Sequence, residues 1–128
     1  MKYMLLMQST AANWKTFGTL PPEDIRAHIK FMKNLNKDLQ ASGEFVDAQG
    51  LTPETKLVRA RQGGGAPAVT DGPFPEAKEF LAGYWLLECR SPERAIEIAA
   101  TISAAPGRGG EPMNFSVELR SVGIAPDV

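Results

Sequence analysis

The sequence has a single cysteine, Cys89, and a single histidine, His28. One cysteine cannot close an internal disulfide, so the fold does not depend on an oxidising compartment, and the cytoplasm is the expected setting. One histidine and one cysteine cannot build a zinc cluster within one chain. No metal and no other cofactor is expected. An excess of either charge is missing too: Lys plus Arg is 14, Asp plus Glu is 15, and the net charge is -1. Direct nucleic-acid binding needs a strongly basic face and is set aside. Long apolar runs are absent. Tyr3 to Met7 is shorter than the roughly 7–15-residue core of a secretion signal, and nothing approaches the roughly 20 apolar residues of a membrane span. There is no Gly-x-Ser-x-Gly elbow for a serine nucleophile. The glycines 63 to 65 lack the Gly-Lys-Ser/Thr of a phosphate loop. No internal repeat or low-complexity segment occurs.

What is present reads as one ordered domain spanning 1–128, with 43% apolar and 23% charged residues. Lys2 to Gln8 predicts a buried opening strand. Residues 22 to 41, "PEDIRAHIKFMKNLNKDLQA", predict a long helix. Pro21 and Pro22 stand at its start, where a missing N–H costs nothing. Glu23 and Asp24 suit the positive end of the dipole. Ile25, Ile29, Met32, Leu35 and Leu39 form an apolar stripe at helical spacing, and Gly43 caps the end. The basic face of Arg26, Lys30, Lys33 and Lys37 reads as solvated surface. Short extended pieces follow at "EFVDA", "TKLVRAR" (55 to 61) and "AVTDG", with "QGGGAP" as a hairpin loop. "GYWLLEC" (83 to 89) predicts a strand. Ser91 and Pro92 open a second helix whose inner face is Ala95, Ile98, Ala99 and Ile102. "NFSVELR" (114 to 120) alternates as a closing strand. The order predicts an α+β fold, an antiparallel sheet with two helices on one face, in the ferredoxin-like arrangement with extra strands in the middle.

The stretch Thr70 to Trp85, "TDGPFPEAKEFLAGYW", raises the functional question. Pro73 removes the N–H that an Asx-turn from Asp71 would use, and Gly72 before a proline is steered away from the α region. The stretch stiffens the chain around Asp71 at a strand end. Two readings stand side by side: a structural turn, or a carboxylate held for use. His28 is equally double. It falls inside the apolar stripe of the long helix, as a core histidine would, and it is also the residue type suited to general acid/base work. An imidazole with an orienting carboxylate is the standard pairing if the two converge. Trp14, Phe74, Tyr84 and Trp85 have the character of pocket walls or of core. Lys78, with Glu76 and Glu79, is a pocket rim or a solvated turn. Cys89 in an apolar strand reads as a small buried hydrophobe.

The run "VTDGPFPEAKEFLAGYWLL" resembles the signature of the YCII-related superfamily, in its DGPF branch. "MKYMLLM", "HIKFMKNLNKDLQASGEFVDAQGL" and "VELRSVG" match the same layout, so the resemblance spans nearly the whole chain. Pro75, Ala77, Ala82 and Ser121 depart from the usual pattern without touching His28 or Asp71. The resemblance implies a ferredoxin-like domain that forms a homodimer of the dimeric α/β-barrel type. It also implies a His–Asp pair, His28 and Asp71, as catalytic groups. Phe74, Lys78, Tyr84 and Trp14 are then substrate-binding candidates. The implied function is small-molecule binding, with acid/base chemistry of a lyase, isomerase or hydrolytic kind. The alternative that the resemblance implies is a non-catalytic, ligand-sensing partner of an extracytoplasmic-function sigma factor.

Overall fold

Alternating apolar residues at the start of the chain pair on both sides and become the central strand of the sheet. The computed structural model describes residues 1–72 and 79–127. In order they form β1 (Lys2–Ser9), α1 (Ala11–Gly18), α2 (Pro22–Ala41), β2 (Phe45–Gly50), β3 (Thr55–Arg59), β4 (Ala68–Gly72), β5 (Phe80–Glu88), α3 (Pro92–Ser103) and β6 (Ser116–Ser121). A 3-10 turn, Arg108–Gly110, lies before β6.

The sheet order is β2-β5-β1-β6, and every neighbouring pair is antiparallel. This is the ferredoxin-like order, with α2 and α3 packed on one face. Tyr3, Leu5, Trp85 and Leu87 point from the sheet into a core shared with Leu39 of α2 and with Ala95, Ile98 and Ile102 of α3. Leu5, Leu87 and Ile102 are fully buried, and each such side chain contributes roughly 1.5–3 kcal/mol. The other face carries Met4 and Leu6 of β1 in register with Leu86 and Tyr84 of β5.

Local chemistry sets the ends of the helices. α2 runs over the expected residues 22 to 41. It ends in a Schellman motif: Gly43, at φ +79°, donates to Gln40 O, and Glu44 donates to Leu39 O. Ser91 caps α3 by accepting from the Arg94 N–H at 3.2 Å. Arg94 in turn grips Glu44 with two nitrogens, at 2.8 and 2.9 Å, and so ties α3 to the turn after α2.

Two features extend the sequence reading. α1 is a third helix between β1 and α2, capped by Thr10, whose hydroxyl accepts from the Asn13 N–H at 3.1 Å. Its helical pattern is short and weakly apolar, with no buried residue. The extra middle strands, β3 and β4, pair only with each other and form a ribbon outside the main sheet. Val58 and Val69 face each other on that ribbon and stay 62% and 55% exposed. Among the described residues no helix is long and apolar enough to cross a membrane.

Candidate functional site

The site starts from a gap in the sheet. Gly83 lies on the helix-facing side of β5, in the same alternation as Trp85 and Leu87, and has no side chain to offer the core. A Cβ placed there would lie 2.9 Å from Gln49 O, so β2 approaches closer than any other residue would allow. Opposite, the pairing of β1 with β5 slips between Met7 and Gln8. That irregularity leaves Ala82 unpaired and turns it inward, 3% exposed. A hollow therefore opens under α2 where a regular strand would be filled.

His28 faces this hollow from α2, together with Met32 and Asn36. It is 8% exposed, and it lines two cavities that meet at His28 and Met7. The larger, about 220 Å³, lies beside Gly83 and Gly50 and includes Met32, Asn36 and Trp85 in its wall. The smaller, about 70 Å³, lies beside Ala82 and is walled by Trp14, Phe17 and Phe115. The imidazole sits edge-on to Phe17 at 4.9 Å between ring centroids and to Phe115 at 6.1 Å. Trp85 Nε1 donates to Asn36 Oδ1 at 2.8 Å, which fixes the indole beside the larger cavity.

One hydrogen bond sets the chemistry of the imidazole. His28 Nδ1 lies 3.0 Å from the carbonyl oxygen of Pro106. A carbonyl only accepts, so Nδ1 carries the proton and donates. In the neutral ring the lone pair is then on Nε2, which takes no partner among the described residues. That is the arrangement of a base with its second nitrogen oriented. Here the orienting group is a backbone carbonyl.

Asp71 lies elsewhere in its own chain. It is on β4, opposite Lys56 of β3, and its carboxylate accepts from Lys56 Nζ at 2.6 Å with 84% of the side chain exposed. His28 and Asp71 make no hydrogen bond or ion pair with each other. Trp14 does reach the His28 site, 39% exposed and edge-on to Phe80. Tyr84 lines the larger cavity, but strand alternation turns its ring to the opposite face from Trp85. There its hydroxyl donates to Asp47 Oδ2 at 2.7 Å. The hydrogen bond holds the Asp47 carboxyl below the usual carboxylate range and raises the Tyr84 phenol. Phe74 and Lys78 lie outside the described residues. Burial, then the charge of Glu44, pushes the Cys89 thiol up, which leaves it a poor nucleophile.

The site residues that sequence reasoning missed are Met7, Phe17, Asn36, Gly83, Pro106 and Phe115. Gly83 carried a signal, a glycine inside an aromatic strand, which marks a bulge or a close approach.

The YCII-related domain family model matches residues 1–109. An uncharacterized protein of Rhizobium meliloti (strain 1021) is 32% identical over 83 residues, which cover 65% of this chain and 63% of that one. The chain thus aligns with less than two thirds of that relative's length.

Proposed function

The chain belongs to the YCII-related domain family, and from that premise we propose that it binds a small molecule at His28 and acts on it by proton transfer through Nε2. The observation that carries this reading is the His28 Nδ1–Pro106 bond at 3.0 Å, because it leaves Nε2 as the basic nitrogen of a side chain that lines both cavities. Nε2 takes a proton from the bound molecule in an isomerase or lyase reaction, or from the attacking water in a hydrolytic one, and returns it to a second atom or to the leaving group. Trp14 and its aromatic neighbours hold the apolar part of the molecule.

In this reading the protein acts as a homodimer of the dimeric α/β-barrel type. Met4, Leu6 and Leu86 on the helix-free face supply an apolar patch for sheet-against-sheet contact. Asp71, brought to the second copy's site by the exposed β3–β4 ribbon, accepts from Nε2–H once that nitrogen has taken up its proton and so stabilises the imidazolium. The support for this is that Asp71 is accessible and carried on an element that stands off its own sheet.

The test is a small-molecule screen by melting-temperature shift and native mass spectrometry on the wild-type chain, His28→Asn and Asp71→Asn, with sedimentation to read the assembly. A hit whose turnover is lost in both variants while its binding survives supports the reading. A hit that is bound but never turned over points to a sensing role. Turnover unaffected by His28→Asn, or a monomer at micromolar concentration, overturns the corresponding half.

A further inference from the structure

The loop that supplies the Pro106 carbonyl is held to α2 at a second point. Gly109 N–H donates to Asp24 Oδ2 at 3.2 Å. Asp24 and His28 are four residues apart, so they stand one above the other on the same helix face. One grips the tip of the loop and the other its base.

The loop itself leaves little freedom between these points. Gly107 N–H donates to Glu111 O at 2.7 Å, and Met113 N–H donates to Ala105 O at 2.9 Å. Those two bonds flank Pro106 and Pro112, which face each other as an isolated antiparallel bridge. Both prolines occupy the non-hydrogen-bonded position, where an N–H would point away from the partner, so neither leaves a donor missing. By the same alternation the Pro106 carbonyl points outward from the bridge, toward His28. Gly109 is in the left-handed region at φ +60°, which presents its N–H to Asp24. The base of the loop is held to α3 by Asn114 N–H donating to Ser103 O at 2.9 Å, and the Asp24 bond is the contact that ties its tip to α2.

We infer that Asp24 is a positioning residue for His28: through its bond to Gly109 it seats the 105–113 loop so that the Pro106 carbonyl selects the Nδ1–H form of the imidazole. This rests on the proposed role of Nε2 as the working nitrogen, but its readout needs no substrate.

The experiment is ring-nitrogen NMR on the full-length 15N-labelled chain at a pH where the imidazole is neutral, with His28 as the sole histidine signal. In the wild type, the protonated nitrogen should be Nδ1. In Asp24→Ala the loop is released at its tip, and the ratio of the Nδ1–H to the Nε2–H form should fall by up to about tenfold, as for loss of one hydrogen bond to a charged acceptor. Asp24→Asn keeps an accepting oxygen and should restore the wild-type ratio. The inference is overturned by a wild type already in the Nε2–H form, by an unchanged ratio in Asp24→Ala, or by an Asn variant that behaves like Ala. Asp24 is on the helix surface, so folding of both variants is expected. Turnover unaffected by His28→Asn would sink the proposed function and leave this result standing, so the two failures read separately.

Discussion

Trp85 Nε1 donates to Asn36 Oδ1 at 2.8 Å, and this single bond joins α2 to β5 beside the larger cavity. The indole is 6% exposed, so water does not replace Asn36 easily. Asn36→Leu keeps the volume and removes the acceptor. It should lower the unfolding free energy by roughly 1–3 kcal/mol, the cost of a buried donor left unpaired. Urea unfolding checks this, and an unchanged midpoint would mean that the indole finds another partner.

Gly83 is the position where the cavity depends on having no side chain. A Cβ there meets the Gln49 carbonyl at 2.9 Å and Met7 Cε at 3.7 Å. Gly83→Ala should push β2 outward and cost about 1–3 kcal/mol, as overpacking does. Gly83→Val should also fill part of the hollow and weaken any ligand that stabilises the wild type. Paired thermal melts with and without that ligand separate the two effects.

Glu44 gives the stability its acid limb. The Arg94 guanidinium beside it, helped by the Ser42 hydroxyl, holds its carboxyl at about 2 against an ordinary value of 4.5. The folded value is the lower one, so the unfolded chain binds more protons in between. The contribution is complete above about pH 4.5 and is lost as pH falls through about 2. With Arg94 30% exposed, it amounts to roughly 1–3 kcal/mol. Unfolding midpoints from pH 6 to pH 2.5 should fall more steeply for the wild type than for Glu44→Gln.

The Lys56–Asp71 pair is exposed on both sides. Asp71→Asn should therefore change the melting temperature by less than about 2 °C, since exposed pairs stabilise little. Amide exchange should be faster in β3 and β4 than in β1 and β5, because Val58 and Val69 have no core to seal them. Exchange in the ribbon as slow as in β1 would instead mean that a second surface covers it.

The elements legible in the sequence are those with strong periodicity or sharp punctuation. α2 was readable from its stripe, its prolines and Gly43, and α3 from Ser91 and Pro92. The ferredoxin-like arrangement followed from the order of strands and helices along the chain. α1 was not readable, because it buries no residue and so leaves no apolar stripe. The site was legible only in pieces. His28 and Trp14 line the same small cavity, where residue type alone left each open between core and pocket. The Pro106 carbonyl could not be found from side-chain chemistry at all, since any residue supplies a carbonyl and only the folded loop aims it. Asp71 stood out for its setting just ahead of Gly72 and Pro73, and its own chain gives it to Lys56.

The ribbon has a topological consequence. β2 and β5 are adjacent and antiparallel, and Leu51 N–H already donates to Ala82 O at 2.9 Å. The ends of the segment from Thr52 to Glu79 are therefore anchored side by side, as the two ends of a hairpin are. Nothing in the sheet order requires what lies between them. That segment is a graft on a complete domain: a tight turn could close the β2–β5 hairpin in its place and leave the ferredoxin-like core connected as before. Selection on the ribbon can thus act on its sequence and length without retuning the core.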